Sequence, residues 1–396
     1  MICLAFLVAT VALGGCISAH DVADMIVTAP NQKSDHSSRG FVDAVAPLYT
    51  KQFKVPVGPP LAKLSVAVIP PRNYGFSASE KWKEDPKQLI LKWRIHGSAG
   101  GGSEEEAGHD SKSQKAQDLT GGKAWQYIQH MFQEAIPKLP LCRAAGTVVL
   151  LPGWGEAKET LLGYALDFAN HGYRVVLVDL RGQGQSSGDY VTYGLIEHRD
   201  ISQVITALYQ RGVVVGKLAL VGVSEGATIA LDAAAADDRI DAVVAIAPFV
   251  KLKTAIRATA NQFMPHISKA VSEEELSHAV VIAGHRVGMN LADANPITRV
   301  SRIQAPVLYI AGGKDEIAPA DDVKRLASKT PNARFVKIPR YPHIGLYFGV
   351  AKVAPPALEA LAKTMGLSPD STCLAAPPPK DANYALPFTV TLTDSD

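Results

Sequence analysis

The chain has 396 residues with an apolar fraction of 47%, enough to build one large domain or two ordinary ones, and this excludes a mainly disordered protein. Its 40 Lys and Arg residues are nearly balanced by 38 Asp and Glu residues, which leaves a net charge of +2. Such a small and scattered charge gives no electrostatic reason to expect binding to nucleic acid or to an anionic membrane surface.

The first residues form an apolar run, ICLAFLVATVALGG, which is too short to span a bilayer as a finished helix. This run predicts a signal peptide over residues 1–15. The sequence Leu13-Gly14-Gly15-Cys16 resembles the lipobox of bacterial lipoproteins, which implies cleavage before Cys16, lipidation of its thiol and a location on the bacterial outer membrane, facing the periplasm or the surface. A simple cleaved signal and an uncleaved anchor remain alternatives, because no Lys or Arg precedes the run.

The segments between the signal and the main domain are mostly polar. Sequence broken by Pro and Gly predicts a tether over 16–60. The stretches LAKLSVAVIP and KQLILKWRIHG predict two strands at the start of the folded domain. Gly-rich sequence over 97–122 predicts a flexible surface insertion, whose glutamates we interpret as solvated charge. Pro-rich sequence over 367–396 predicts an irregular tail.

From residue 146 onward, short apolar runs alternate with helical patterns. Continuous runs rich in Val and Ile are typical of parallel strands buried on both faces. The runs are TVVLL, RVVLVDL, KLALVGV, DAVVAIAP, APVLYIAG and ARFVKIP. Apolar helix faces occur between them at Leu161, Tyr164, Ala165 and Phe168 and at Ile201, Val204, Ile205 and Leu208. The alternation predicts a doubly wound, mostly parallel α/β sheet in a domain over 61–366.

One segment, 249–300, breaks this alternation. It contains helical patches and no clear strand over a length far greater than an ordinary connection. The segment therefore predicts a small helical cap, inserted late in the sheet and lying over its carboxyl edge.

Residues 222–226 read Gly-Val-Ser-Glu-Gly, after the strand KLALV and before an Ala-rich helical pattern. Packing alone explains two glycines at a tight turn and a serine that caps a helix. A strained turn that exposes Ser224 as a nucleophile explains the same residues. A serine hydroxyl is a weak nucleophile without a base, so the second hypothesis requires a carboxylate and a histidine further along the chain.

Both residue types follow Ser224 in that order. Asp315 comes directly after the strand APVLYIAG, and the spacing favours it over the neighbouring Glu316. A surface carboxylate that caps the next helix is the alternative for Asp315. After Asp315 the sequence contains one histidine, His343, just past the strand ARFVKIP. A buried structural histidine is the alternative there.

An acyl-transfer site also needs hydrogen-bond donors for the oxyanion. The loop LLPGWGE follows the first parallel strand of the series, where Gly153 permits a close backbone approach and Trp154 presents its N–H. The backbone N–H of Glu225, next to the serine, is the predicted second donor.

From about residue 146 to 348 the chain resembles the α/β-hydrolase superfamily, in the style of the serine aminopeptidase-like and monoacylglycerol lipase-like branch. The stretch DLRGQGQSSGDY is similar to the Asp-x-Arg-Gly-x-Gly-x-Ser turn of that branch, with Gln183 where His is frequent. The resemblance implies structural roles for Asp179 and Arg181.

The resemblance implies a serine hydrolase that forms an acyl-enzyme on Ser224, with His343 as base and Asp315 as acid. A carboxylic ester is the favoured substrate, and no cofactor, metal or nucleic acid is expected. An aminopeptidase is the alternative, in which Glu273–Glu275 hold a substrate amine; a binding lipoprotein without activity is another. Cys142 and Cys373 either pair in a disulfide or remain separate thiols.

Overall fold

The structure is a computed structural model that describes residues 17–33, 39–83, 88–95, 122–365 and 388–393. The predicted signal peptide and Cys16 lie outside the described residues, as does the predicted insertion apart from its last residue. The strands, in chain order, are β1 Lys51–Val57, β2 Ala62–Ile69, β3 Phe76–Lys83, β4 Gln88–Ile95, β5 Gly146–Leu151, β6 Tyr173–Val178, β7 Lys217–Val223, β8 Ala242–Ile246, β9 Val307–Gly312, β10 Ala333–Ile338 and β11 Phe388–Thr393.

The main sheet has eight strands in the order β1-β2-β6-β5-β7-β8-β9-β10. The six strands from β5 to β10 are parallel, and β1 and β2 join one edge in antiparallel pairing. Every residue of β5 is buried, as expected for a central strand covered on both faces. The predicted fold class is confirmed: this is the α/β-hydrolase fold.

Helices cover the sheet and connect its strands. In chain order they are α1 Ala19–Val27, α2 Arg39–Val45, α3 Gly122–Ala135, α4 Leu162–Asn170, α5 Glu197–Gln210, α6 Glu225–Ala234, α7 Leu252–Phe263, α8 Pro265–Ala270, α9 Glu273–Val287, α10 Ala320–Ala327, α11 Gly345–Phe348 and α12 Val350–Met365. The residues of the two predicted apolar faces lie on α4 and α5, except Leu161, which immediately precedes α4, and all are at most 1% exposed. Helices α7, α8 and α9 form the predicted helical cap between β8 and β9.

The structure corrects the predicted tether over 16–60 and the domain start at 61. Strand β1 belongs to the main sheet, and its alternation buries Val55 and Val57 while polar neighbours face solvent. Helix α1 buries Val22 and Ile26 on one side, and Ser18 begins it with a capping box. The alternation in β1 and the apolar side of α1 are both short and lie among polar residues and Pro, so the sequence did not predict either element.

A second sheet, in the order β11-β4-β3, corrects two further predictions. Strand β3 lies between the two strands predicted at the start of the domain, where no strand was predicted, and β11 lies in the tail that was expected to be irregular. Strand β11 pairs with β4 over Phe388–Thr393 opposite Gln88–Trp93. A partner so distant in sequence gives no local signal, because strand pairing is settled by tertiary contacts.

Cys142 is disulfide-bonded, so the alternative in which its thiol is free is excluded; its partner lies outside the described residues. Within the described ranges, no helix has both the length and the apolar content needed to cross a membrane.

Candidate active site

Ser224 stands between strand β7 and helix α6 in a strained conformation. Its φ of 55° is a left-handed value that residues other than glycine seldom adopt. The two flanking glycines are required by space: a Cβ on Gly222 would lie 2.2 Å from the carbonyl oxygen of Gly226, and one on Gly226 would lie 2.1 Å from that of Leu151. The Gly-x-Ser-x-Gly sequence therefore builds a sharp strand-to-helix turn.

Ser224, His343 and Asp315 form one hydrogen-bonded chain. Ser224 Oγ and His343 Nε2 are 2.9 Å apart, and His343 Nδ1 and Asp315 Oδ2 are 2.8 Å apart. Asp315 is 5% exposed and His343 is 6% exposed. The fold thus brings together three residues that are far apart in sequence, in the geometry that a nucleophile, a base and an orienting acid require.

Asp315 is held in place by its own turn. The backbone N–H groups of Ile317 and Ala318 donate to Asp315 Oδ1 at 2.9 and 2.8 Å, which leaves Oδ2 for the histidine. The neighbouring Glu316 is exposed. The alternative in which Asp315 is a surface carboxylate that caps the next helix is wrong, because Asp315 is buried, its turn precedes α10, and α10 begins after Pro319 without a side-chain cap.

These contacts predict different effects for two adjacent carboxylates. We expect Asp315→Asn to lower kcat for a p-nitrophenyl ester by about 10³- to 10⁴-fold, because an amide at this position no longer orients and stabilises the imidazolium. The matched control, Glu316→Gln, should change kcat less than about twofold. If Glu316→Gln were the damaging substitution, the assignment of the acid would be wrong.

The predicted oxyanion loop lies against the serine. A Cβ on Gly153 would lie 3.3 Å from Ser224 Cβ and 1.8 Å from the hydroxyl oxygen of Tyr347. Gly153 therefore makes room for a phenol as well as for close approach of the backbone. The backbone N–H groups of Trp154 and Glu225 donate no hydrogen bond to another described residue, so both remain available to an oxyanion.

Tyr347 is a site residue that the sequence analysis missed. Its ring packs edge-on against the His343 ring, with the centroids 5.9 Å apart. Burial raises the pKa of Tyr347 well above its ordinary value, so the side chain remains a neutral phenol. The signal was its position four residues after His343, which places both side chains on the same side of a helical turn.

Glu225 carries a buried carboxyl beside the nucleophile. Gln183 Nε2 donates to Glu225 Oε2 at 2.7 Å, while Gln183 Oε1 accepts from the Glu156 N–H of the oxyanion loop at 3.2 Å. Gln183 thus connects the two segments that present the predicted oxyanion donors. Burial, followed by the negative charge of Glu197, raises the pKa of Glu225 from 4.5 to about 8.

This pKa predicts a pH-dependent contribution to stability. The folded protein holds the Glu225 proton more tightly than the unfolded chain does, so the stabilisation is fully present below pH 4.5 and is lost as the pH rises towards about 8. We expect Glu225→Gln to remove this loss. The free energy of unfolding of the variant, relative to that of the wild type, should therefore increase by a few kcal/mol, at most about 5, between pH 5 and pH 8.

Urea denaturation at both pH values measures the difference. Glu274→Gln, on the exposed surface of the cap, is the matched control and should leave the pH dependence of stability unchanged. The same dependence in Glu225→Gln and in the wild type would contradict this account.

The turn that follows β6 is structural, as the sequence predicted. Arg181 forms a buried bidentate pair with Asp200, with Nε–Oδ2 at 2.7 Å and Nη2–Oδ1 at 2.8 Å. Asp179 accepts from the buried Lys158 ammonium at 2.9 Å. These contacts hold the loops beneath Ser224 and leave neither carboxylate free for proton transfer.

A mostly apolar cavity opens beside Ser224. It contains about 850 Å³ of empty space, a volume that includes space open to solvent. Its lining includes Trp154 and Glu225 next to the serine, Phe249 and Leu252 before and in the cap, and Ile317. Trp154 Nε1 and Glu225 Oε1 are buried without a hydrogen-bond partner among the described residues.

Fold and family comparison together support a hydrolase. The family model described as serine aminopeptidase, S33, matches residues 143–285, which hold the predicted oxyanion loop, Ser224 and most of the cap. The chain is also similar to the uncharacterised Bacillus subtilis protein YqkD, with 29% identity over 196 residues. That alignment covers 48% of this chain and 62% of YqkD.

Solved structures of similar fold include two esterases. An esterase of Pyrococcus furiosus is 19% identical, with a TM-score of 0.42, over 74% of this chain and 92% of its own. A thermophilic esterase of Thermogutta terrifontis is 18% identical, with a TM-score of 0.43, over 56% of this chain and 92% of its own.

Proposed function

We propose that the protein is a serine hydrolase that cleaves carboxylic esters through an acyl-enzyme on Ser224. The observation that carries this proposal is the hydrogen-bonded chain from Ser224 through His343 to Asp315, at a strained turn beside an apolar cavity. A serine that only capped a helix would need neither the strain nor the histidine.

The reaction proceeds in two halves. In the first, His343 Nε2 takes the Ser224 proton while Oγ attacks the ester carbonyl, and the N–H groups of Trp154 and Glu225 stabilise the oxyanion. The C–O bond to the alcohol then breaks, and His343 returns the proton to the leaving alkoxide. In the second half, His343 deprotonates a water that attacks the acyl-serine, and the acid departs as Ser224 regains its proton.

Neutral Glu225 suits this mechanism. A carboxylate beside the oxyanion would oppose the charge that develops in the transition state, whereas a protonated carboxyl does not. Because its pKa is raised to about 8, the Glu225 carboxyl carries a proton at neutral pH.

A peptidase is the second candidate, and the family match is the observation in its favour. The cap glutamates that were expected to hold a substrate amine are not among the described lining residues of the cavity: Glu273 pairs with Arg257 at 2.6 Å, Glu275 caps α9, and Glu274 is exposed. Among the described lining residues the one acidic side chain is Glu225, whose Oε1 has no partner. An amine would have to bind there.

Two substrates separate the candidates. We expect the purified protein to hydrolyse p-nitrophenyl acetate and to leave an aminoacyl p-nitroanilide intact, because the cavity offers an apolar surface and a neutral carboxyl. Faster turnover of the anilide would favour the peptidase. Turnover of neither substrate, with the fold intact, would favour a binding lipoprotein.

We also propose that the protein is exported and held at the outer membrane by lipid on Cys16. The support is the sequence of residues 1–16 and its resemblance to a lipobox. Cells that express the full chain should incorporate labelled palmitate into the wild type but not into Cys16→Ser. Equal incorporation in both would contradict the anchor.

A further inference from the structure

Helix α1 precedes the α/β sheet in the chain, yet it packs on the cap. Asp24 forms an ion pair with Arg286 of α9, and the Val191 N–H donates to the Val27 carbonyl at 2.9 Å. Tyr193, in the loop before α5, donates its hydroxyl proton to the Ile26 carbonyl. The helix is therefore held from both sides, by the cap and by the sheet domain.

The inner side of α1 faces the cavity beside Ser224. Val22, Met25 and Ile26 contribute to its lining. Val22 and Ile26 stand in one apolar cluster with the cap residues Leu252 and Leu276. Because the capping box at Ser18 fixes the start of the helix, α1 presents these side chains as a defined wall.

The position of the cavity relative to the reacting groups indicates whether it binds the acyl part or the alcohol part of an ester. Ser224 and both residues that carry the predicted oxyanion donors line the cavity, whereas His343 is not among its described lining residues. His343 must reach the leaving alkoxide to protonate it. The alcohol half therefore lies on the side of His343, and the cavity lies on the acyl side of the carbonyl carbon.

The lining is mostly apolar, and its one basic side chain among the described residues is that of Arg257, in the cap. Arg257 donates its hydrogen bonds to Glu273 and to the carbonyls of Ser268 and Ser272. It therefore offers no free charge to an anionic substrate group. An aliphatic chain is the kind of group that such a lining stabilises, since each buried methylene contributes free energy in proportion to its area.

We propose that α1 is a wall of the acyl-chain cavity, that the substrates are esters of acids with an aliphatic chain, and that the α1 side chains limit the length of that chain. This inference rests on the proposed esterase function. It assigns substrate selection to a segment that lies outside the matched residues 143–285 and that the sequence analysis took for part of a tether.

The test compares chain-length preference in two α1 variants. Met25→Trp adds bulk to the cavity wall, whereas His20→Trp, the matched control, adds the same side chain at an exposed position of the same helix. We expect the ratio of kcat/KM for p-nitrophenyl octanoate to that for the acetate to fall about tenfold or more in Met25→Trp. The same ratio should stay within about twofold of the wild type in His20→Trp.

A second variant keeps the test decisive if Met25→Trp does not fold. Met25→Ala enlarges the cavity, so the ratio for dodecanoate to octanoate should rise. Unchanged kcat/KM ratios in the folded variants, or equal losses of kcat/KM on the short and long esters, would contradict the role of α1. Neither result would contradict the proposed esterase function. If the wild type hydrolysed none of these esters, the proposed function would fail instead.

Discussion

Ser224→Ala should lower kcat for p-nitrophenyl acetate by at least about 10⁴-fold, towards a limit of about 10⁶-fold, without unfolding the protein. The substitution removes the attacking oxygen and leaves the oxyanion donors and the cavity in place, so any residual rate reflects those groups alone. Alanine also fits the site, because Ser224 makes its backbone hydrogen bond to Ile246 through its N–H.

Ser328→Ala is a matched control for the loss of a hydroxyl. Ser328 ends helix α10 at the surface and donates its side-chain hydrogen bond to Arg325. It should retain the wild-type kcat. Turnover in Ser224→Ala close to that of the wild type would show that another group attacks the ester.

His343→Ala should be nearly as damaging as Ser224→Ala, because the serine hydroxyl then has no base within hydrogen-bond distance. The two effects should not add: the double variant should be about as active as either single one, since the residues act as a unit. His171→Ala, at a partly buried histidine whose Nδ1 contacts the Asp167 carbonyl, is the control and should keep its activity. Multiplicative losses in the double variant would indicate that the two residues act separately.

The sequence predicted best what local pattern determines. Strands β5 to β9 are almost entirely buried, so their continuous apolar runs marked them, and the strand-turn-helix context marked Ser224. The run ARFVKIP also predicted a strand, but the expectation that it is buried on both faces was wrong, because β10 lies at the sheet edge and buries only Ile338. His343 could be selected because no other histidine follows Asp315. These inferences needed only the order of elements along one sheet.

The elements that were missed depend on distant partners. Strand β11 pairs with β4 across nearly three hundred residues, and α1 becomes part of the site only where it meets α9. Alternation in β1 was too short to stand out beside Pro56. The spacing of Tyr347 from His343 was a signal for its place beside the base, but the close approach of its hydroxyl to Gly153 depends on the tertiary structure.

Reaction of the purified wild-type protein with a fluorophosphonate, followed by mass spectrometry of its peptides, tests the central claim most directly. The reagent phosphonylates a serine only where a base and an oxyanion site activate it. We expect one adduct, on the peptide that contains Ser224, absent from Ser224→Ala and strongly reduced in His343→Ala. An adduct on a different residue that persists in Ser224→Ala, or ester hydrolysis by a wild type that takes no label on Ser224, would contradict the proposed acyl-serine mechanism.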